Sequence, residues 1–235
     1  MILANVKSIQ IPEGNVKRIS KNGNILWKAD EGGEILPSAY KRVEYIESTG
    51  TQWIDTGIIP NETTEFELMV YSNNEFNTSS GFRNIFGSNN SSNGNMLSYQ
   101  LSTYGTYSAS TGGGQFQNNK TKVSGLGMSK QTIMIISYHN KVFYGGNNIT
   151  KNVNAAAYTG ATSIYLFSNH PSNGATPKGG NHRIYYFKLY NQGSVVRDFI
   201  PCYRKRDDEI GLYDLVEGVF YTNKGTGLFT KGADV

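Results

Sequence analysis

In the stretch "EFELMVY", Glu65 to Tyr71, polar and apolar residues take turns. Glu65, Glu67 and Met69 fall on one side of an extended chain, and Phe66, Leu68 and Val70 on the other. Side chains alternate across a strand, so the pattern predicts a half-buried strand with Glu65 and Glu67 turned outward to solvent. Further strand candidates are "RNIFGS", "MLSYQLST", "TIMIISY", "KVFYGG", "SIYLFS", "RIYYFKLY", "VVRDFIPCY", "IGLYDLV" and "VFYTN". Turn signals separate them around Asn140, Gly193, Asp208 and Glu217-Gly218, and helix-period segments are nearly absent. Many short strands joined by Asn and Gly turns predict an all-β sandwich or jelly roll.

The first residues read differently. In "VKRIS-KNGN-ILWK", Asn22-Gly23 stands between two short strand-like runs, and Asn-Gly favours the positive φ angles of a type I′ hairpin turn. Val16, Ile19, Ile25, Leu26 and Trp27 are too few for a core of their own, so the hairpin must lean on the main domain or on a partner. The acidic, Gly-rich "ADEGGE", Ala29 to Glu34, fits a linker. The expected division is a hairpin over 1–30, a linker over 31–36 and one large domain over 37–235.

Composition agrees with this picture. Hydrophobic content is only 37%, but 16 Tyr, 11 Phe and 2 Trp supply broad apolar faces suited to strands, and 27 Gly supply turns. No run is long enough to span a bilayer, and "MILANVKSIQ" lacks the apolar centre of a secretory signal, so neither membrane insertion nor export by that route is expected. Cys202 is the only cysteine, which excludes an intramolecular disulfide and fits a buried strand residue. The formal charge is +4, yet no acidic residue lies between Glu75 and Asp198, an interval that carries ten Lys and Arg. These cations are scattered, which argues against a nucleic-acid surface.

Three connections are long and polar: "SNNSSNGN" near Asn90, "YGTYSASTGGGQFQNNK" from Tyr104 and "SNHPSNGATPKGGNH" from Ser168. Long loops in a compact domain often carry function, and their Asn, Ser and Gly suit hydroxylated ligands as well as ordinary turns.

Three segments carry a family resemblance: "YIESTGTQWIDTGI" near the start, and "RIYYFKLYNQGSVVRDFIPCYRK" and "EIGLYDLVEGVFYTNKGTGLFTKG" at the far end. Together they resemble the concanavalin A-like, laminin G-like jelly-roll domains of phage structural and gut-bacterial surface proteins, over about residues 36–232. The stretch "NVKSIQIPEGNVKRISKNGNILWK" resembles short modules that precede such domains in phage-derived proteins. The resemblance implies two antiparallel sheets of the concanavalin A-like lectin/glucanase type, whose concave face or rim loops commonly bind glycans. It also implies that "YIE" and "QWIDT" are paired strands joined by the "STG" turn, with Trp53 and Ile54 on opposite faces.

Catalytic chemistry finds little support. Retaining glucanases of this fold need three alternating carboxylates on one strand, and Met69 stands where the third would be. Spacing leaves a pair from Glu47 and Asp55 open. No Gly-x-Ser-x-Gly elbow occurs, and His139, His170 and His182 lie in turn-rich segments without an orienting carboxylate nearby in sequence. "TGGGQ" lacks the Lys-Ser/Thr ending of a phosphate loop. No cofactor is expected; a weak calcium site would have to draw on terminal carboxylates, carbonyls and Asn.

The expectation is therefore a non-enzymatic glycan- or receptor-binding module on a phage virion surface, made in the host cytoplasm and attached to a tail or capsid protein through residues 1–30. Tyr99, Tyr104 and Tyr107 would stack on sugars, Asn90, Asn93 and Gln115 would bond hydroxyls, and Lys120 and Lys122 would draw an anionic glycan if they stay unpaired. The alternatives are a structural decoration protein that packs as a homo-oligomer, and a glycan depolymerase of the same fold.

Overall fold

A computed structural model describes residues 18–21, 24–28, 36–72, 83–89, 97–101, 114–118, 121–124, 132–138, 141–144, 149–153, 156–174, 176–177 and 179–235. Strands β1 (Arg18–Lys21) and β2 (Asn24–Lys28) pair antiparallel, with Lys21 opposite Asn24 as the Asn22-Gly23 signal predicts, and make a separate two-stranded sheet.

The sandwich starts with β3 (Tyr40–Arg42), β4 (Ile46–Thr49), β5 (Ile54–Asp55) and the long β6 (Thr64–Ser72). Next come β7 (Arg83–Asn89), β8 (Leu97–Leu101), β9 (Gly114–Asn118), β10 (Thr121–Ser124), β11 (Thr132–Tyr138), β12 (Lys141–Tyr144) and β13 (Ile149–Asn152). Short β14 (Tyr165–Leu166) and β15 (His170–Pro171) precede β16 (Asn181–Asn191) and β17 (Ser194–Arg204), and β18 (Glu209–Asp214), β19 (Val219–Thr222) and β20 (Thr230–Lys231) complete the order. No helix occurs among the described residues. Strand β9 lies inside the Gly-rich stretch read from sequence as a connection, because Gln115, Phe116 and Gln117 find partners on both β8 and β10.

Seven strands form the smaller sheet, in the order β10-β9-β8-β7-β14-β5, with β15 beside β7. Eleven form the larger one, β13-β12-β11-β6-β16-β17-β18-β19, completed by β3, β4 and β20. Apart from the short parallel pair of β15 with β7, the strands pair antiparallel, so the fold is an all-β, two-sheet sandwich of jelly-roll type preceded by a hairpin.

The core lies between the sheets. Phe66, Leu68 and Val70 enter it from β6, Ile184, Phe187 and Leu189 from β16, and Ile54, Phe86 and Leu166 from the smaller sheet, all fully buried. Phe66 meets Phe86 edge-on at 4.7 Å between centroids, a favourable aromatic geometry that ties one sheet to the other. Strict alternation in "RIYYFKLY" would put Ile184 and Phe187 on opposite faces. A bulge between Ile184 and Tyr186 resets the phase, so Tyr185 and Tyr186 both pack outside against Met69 and Met134.

The hairpin from β16 to β17 turns through Gln192 (φ 49°) and Gly193 (φ 75°), the two positive angles of a type I′ turn. On the outer face of β17 and β18, Ile200, Cys202 and Tyr213 are covered by Leu36 and Tyr40, so the residues from Phe199 to Cys202 are buried on both sides.

Charge is interleaved where the middle of the chain meets its ends. Arg183 bonds Glu47 at 3.0 Å, Lys188 pairs Asp198 at 2.7 Å, and Arg197 pairs Glu217 at 2.7 Å.

Candidate functional site

The stretch Tyr45 to Gly57 carries the chain from one sheet to the other. Strand β4 pairs with β16 and β20 in the larger sheet, and β5 pairs with β14 in the smaller. The expected pairing of "YIE" with "QWIDT" is thus corrected: the "STG" turn crosses between sheets, because Gln52 draws it tight. The Gln52 side-chain oxygen accepts from Ser48 Oγ at 3.0 Å and from the Thr49 amide at 2.9 Å, and its Nε2 donates to the Leu228 carbonyl at 3.1 Å. Beyond the turn, Ile54 is fully buried while Trp53 and Asp55 are half-exposed, so these two share the outer face of the smaller sheet.

Tyr165 stands directly opposite Asp55 in register, and its ring lies 6.0 Å from that of Trp53 at an interplanar angle of 15°. Two residues on, Phe167 takes φ 65°, a conformation a bulky residue adopts only when its surroundings impose it. The surroundings are visible. The Phe167 amide donates to the Ile85 carbonyl at 2.6 Å, its ring meets Phe229, and a Cβ on Gly179 would stand 2.8 Å from its carbonyl oxygen. The kink turns the chain back so that His170 stacks on Tyr165 with centroids 3.9 Å apart and 16° between planes.

Polar groups complete the cluster. Ser163 Oγ donates to Asp55 Oδ1 at 2.6 Å, and the Gly57 amide donates to the same oxygen at 2.9 Å. With that hydroxyl proton spent on the carboxylate, the His170 Nδ1 proton is assigned toward Ser163, whose Oγ and carbonyl oxygen both lie 3.1 Å away. Among the described residues, Asp55 Oδ2 and His170 Nε2 then remain as acceptors without a protein partner. Burial first, and the Asp55 charge next, push the Tyr165 hydroxyl above its ordinary pKa against a smaller opposite effect of Trp53, so it stays a donor.

Ser163, His170 and Asp55 do not make a hydrolytic triad. Asp55 bonds the serine hydroxyl and not the imidazole, so the Ser-to-His-to-Asp order in which a carboxylate orients the histidine base is missing.

The outer face of the larger sheet differs. Glu67 accepts from the Tyr190 hydroxyl at 2.8 Å and the Tyr186 hydroxyl at 3.3 Å, and burial together with this carboxylate raises both tyrosine pKa values. The expectation of a freely solvated Glu67 is corrected accordingly; it faces outward, but tyrosines hold it. The Arg183 guanidinium sits 4.7 Å over Tyr45 and 5.2 Å from the centre of Tyr71 while donating to Glu47. Glu47 therefore faces away from the larger sheet and Asp55 away from the smaller, on opposite sides of the shared core, which rules them out as a retaining pair.

Of the residues expected at a binding site, Tyr99 lies on β8 in register with Phe86 and Phe116, Gln115 on β9 opposite Gln100 and Ser124, and Lys122 on β10 opposite Gln117. Lys122 is thus a strand residue and shares one register line with Asp55: Asp55, Tyr165, Gly87, Ser98, Gln117, Lys122. Asn90, Asn93, Tyr104, Tyr107 and Lys120 lie outside the described residues. Sequence reasoning missed Trp53, Ser163, Tyr165 and His170 as a group, although "QWIDT" and "SIYLFSNH" hold them all. His182 belongs to β16, not to a turn, and is fully buried with Nδ1 3.0 Å from Ser72 Oγ. Among the described residues no group of three or more His, Cys, Asp or Glu is placed to hold a metal ion.

No protein-family model matches the chain, and no curated protein matches it in sequence. Among solved structures it is similar to a Bacteroides ovatus protein for which carbohydrate binding is the inferred role, with a TM-score of 0.52 and 8% identity over 83% of this chain. The match spans 62% of that protein's length. A weaker similarity, TM-score 0.42 and 16% identity over 67% of this chain and 92% of the other, is to the CBM40 module of a Ruminococcus gnavus IT-sialidase bound to α2,3-sialyllactose. At such identities the first likeness shows the β-sandwich fold, and the second adds nothing to it.

Proposed function

We propose that this protein is a non-enzymatic glycan-binding module of the concanavalin A-like, laminin G-like kind, which contacts its ligand through the outer face of the smaller sheet. The observation that carries the reading is the stack of Trp53, Tyr165 and His170, half-exposed beside two acceptor atoms, Asp55 Oδ2 and His170 Nε2, that no donor among the described residues engages. Sugars present apolar C–H faces and hydroxyl rims, so aromatic carbon next to unspent acceptors suits them. On the larger sheet, by contrast, Arg183, Lys188 and Glu67 already bond protein groups. The likeness to the Bacteroides ovatus protein supports the reading at the level of fold.

The setting on a phage virion, with residues 1–30 as the attachment, rests on the resemblance of the first residues to modules in phage-derived proteins. The test of function is a glycan array probed with the full chain and with Trp53→Ala and Tyr165→Ala, each checked for an unchanged melting temperature. Both variants should lose about tenfold or more in affinity for whatever glycan the wild type retains, about 1.4 kcal/mol. Wild-type binding that both variants keep in full would sink the assignment of this face.

A further inference from the structure

The geometry points to a non-acidic sugar, read through its hydroxyl groups by Asp55, as the ligand of this face; the inference rests on the glycan-binding reading above. Asp55 is placed as a fixed acceptor. Its Oδ1 is held from two sides, by Ser163 Oγ at 2.6 Å and the Gly57 amide at 2.9 Å, which fixes the carboxylate, and no donor among the described residues engages Oδ2 beside the Tyr165 ring. A carboxylate oxygen accepts from a sugar hydroxyl with the extra strength of a charged hydrogen bond, whereas a second carboxylate, sulfate or phosphate brought beside it meets like charge in a partly desolvated place.

Among the described residues, two cations approach this corner, Arg197 and Lys224. Arg197 approaches Gly57, but its Nη1 is bound to Glu217 at 2.7 Å and its Nε donates to the Thr56 carbonyl at 2.9 Å. Lys224 passes Trp53 through a backbone bond, its amide donating to the Trp53 carbonyl at 2.9 Å. Lys120 and Lys122, the lysines behind the expectation of an anionic glycan, and Lys178 have side chains outside the described residues. His170 adds an acceptor at Nε2, which with Asp55 Oδ2 suits two hydroxyl donors of one sugar. The ligand's hydroxyls donate, and the aromatic carbon of the stack takes its apolar side.

The experiment is an array of matched pairs that differ only in an acidic group: lactose with sialyllactose, dextran with carboxymethyl-dextran, and mannan with phosphomannan, together with chitosan as a cationic arm. It is probed with the full chain and with Asp55→Asn, Ser163→Ala and Lys224→Gln at constant ionic strength. The wild type should favour the neutral member of the pair it binds by at least about tenfold. Asp55→Asn should weaken neutral binding by about tenfold or more, since hydrogen bonds to charged groups outweigh neutral ones, and should shrink the neutral-over-acidic ratio. Ser163→Ala, which frees the carboxylate to rotate, should fall between wild type and Asp55→Asn, and Lys224→Gln should leave the ratio alone. Preference for the acidic member, or a ratio unmoved by Asp55→Asn, overturns the inference while leaving the glycan reading intact, and so does tighter binding to chitosan than to every neutral glycan. Silence of the wild type across the whole array overturns both.

Discussion

Gly225 is the floor on which Trp53 rests. A Cβ placed there would stand 2.5 Å from Cε3 and Cζ3 of the indole and 2.1 Å from the Thr51 carbonyl oxygen. Neither neighbour yields easily, since Thr51 and Thr226 are joined by reciprocal bonds, amide to carbonyl at 3.1 Å and hydroxyl to carbonyl at 2.9 Å. Gly225→Ala is expected to cost about 1–3 kcal/mol, the scale of an overpacked site, and to weaken glycan binding along with it. Chemical unfolding and the array check both; a variant as stable as wild type would show that Trp53 is free to move.

Leu189 is fully buried between the sheets, two residues from Phe187 on the same face. Leu189→Ala should therefore cost about 2–5 kcal/mol in urea unfolding, the loss for a buried leucine side chain. Val195→Ala, at an exposed position of the partner strand, should stay within about 0.5 kcal/mol.

Asp214 is wholly buried and accepts from the Asp198 amide at 2.8 Å and the Val216 amide at 3.1 Å, with Arg197 Nε 3.6 Å away. Removing it in Asp214→Ala leaves those donors and a buried cation short of a partner, an expected loss of about 3–5 kcal/mol. Glu217 meets Arg197 from a more exposed position, so Glu217→Gln should cost at most about 1 kcal/mol. Equal effects of the two substitutions in thermal unfolding would contradict this division.

Burial pushes the Cys202 thiol up to about 12, opposed only in part by a bond from the Tyr213 backbone. The folded protein therefore holds the proton more tightly than the unfolded chain, in which the thiol ionises near 9. This contribution to stability is complete below about pH 9 and declines as pH rises toward about 12. Cys202→Ala should flatten that part of the stability profile, and native Cys202 should resist iodoacetamide at pH 8 until denaturant is added.

Local pattern went far in this chain. The alternation of "EFELMVY" places Phe66, Leu68 and Val70 inside, and Gly193 ends its hairpin where the turn signal lies. Tyr185-Tyr186 defeats simple alternation because a bulge shifts the phase, a choice made by the neighbouring strand β6. The binding face is legible only in pieces. Trp53 and Tyr165 are far apart in sequence, and nothing local announces that Phe167 will take a left-handed angle and bring His170 back over Tyr165. That angle is fixed by Ile85, Gly179 and Phe229, residues drawn from three other segments. Gln115 reads as a loop residue because Gly and Asn surround it, whereas pairing across β8, β9 and β10 makes it strand.

The residues from Arg42 to Glu47 run antiparallel to those from Thr230 to Val235: Thr230 lies opposite Glu47, Val43 opposite Asp234, and the Val235 amide donates to the Arg42 carbonyl at 3.1 Å. The path into the sandwich and the path out of it thus share one corner. A force applied to those two ends would peel this ladder one hydrogen bond at a time instead of shearing it all at once.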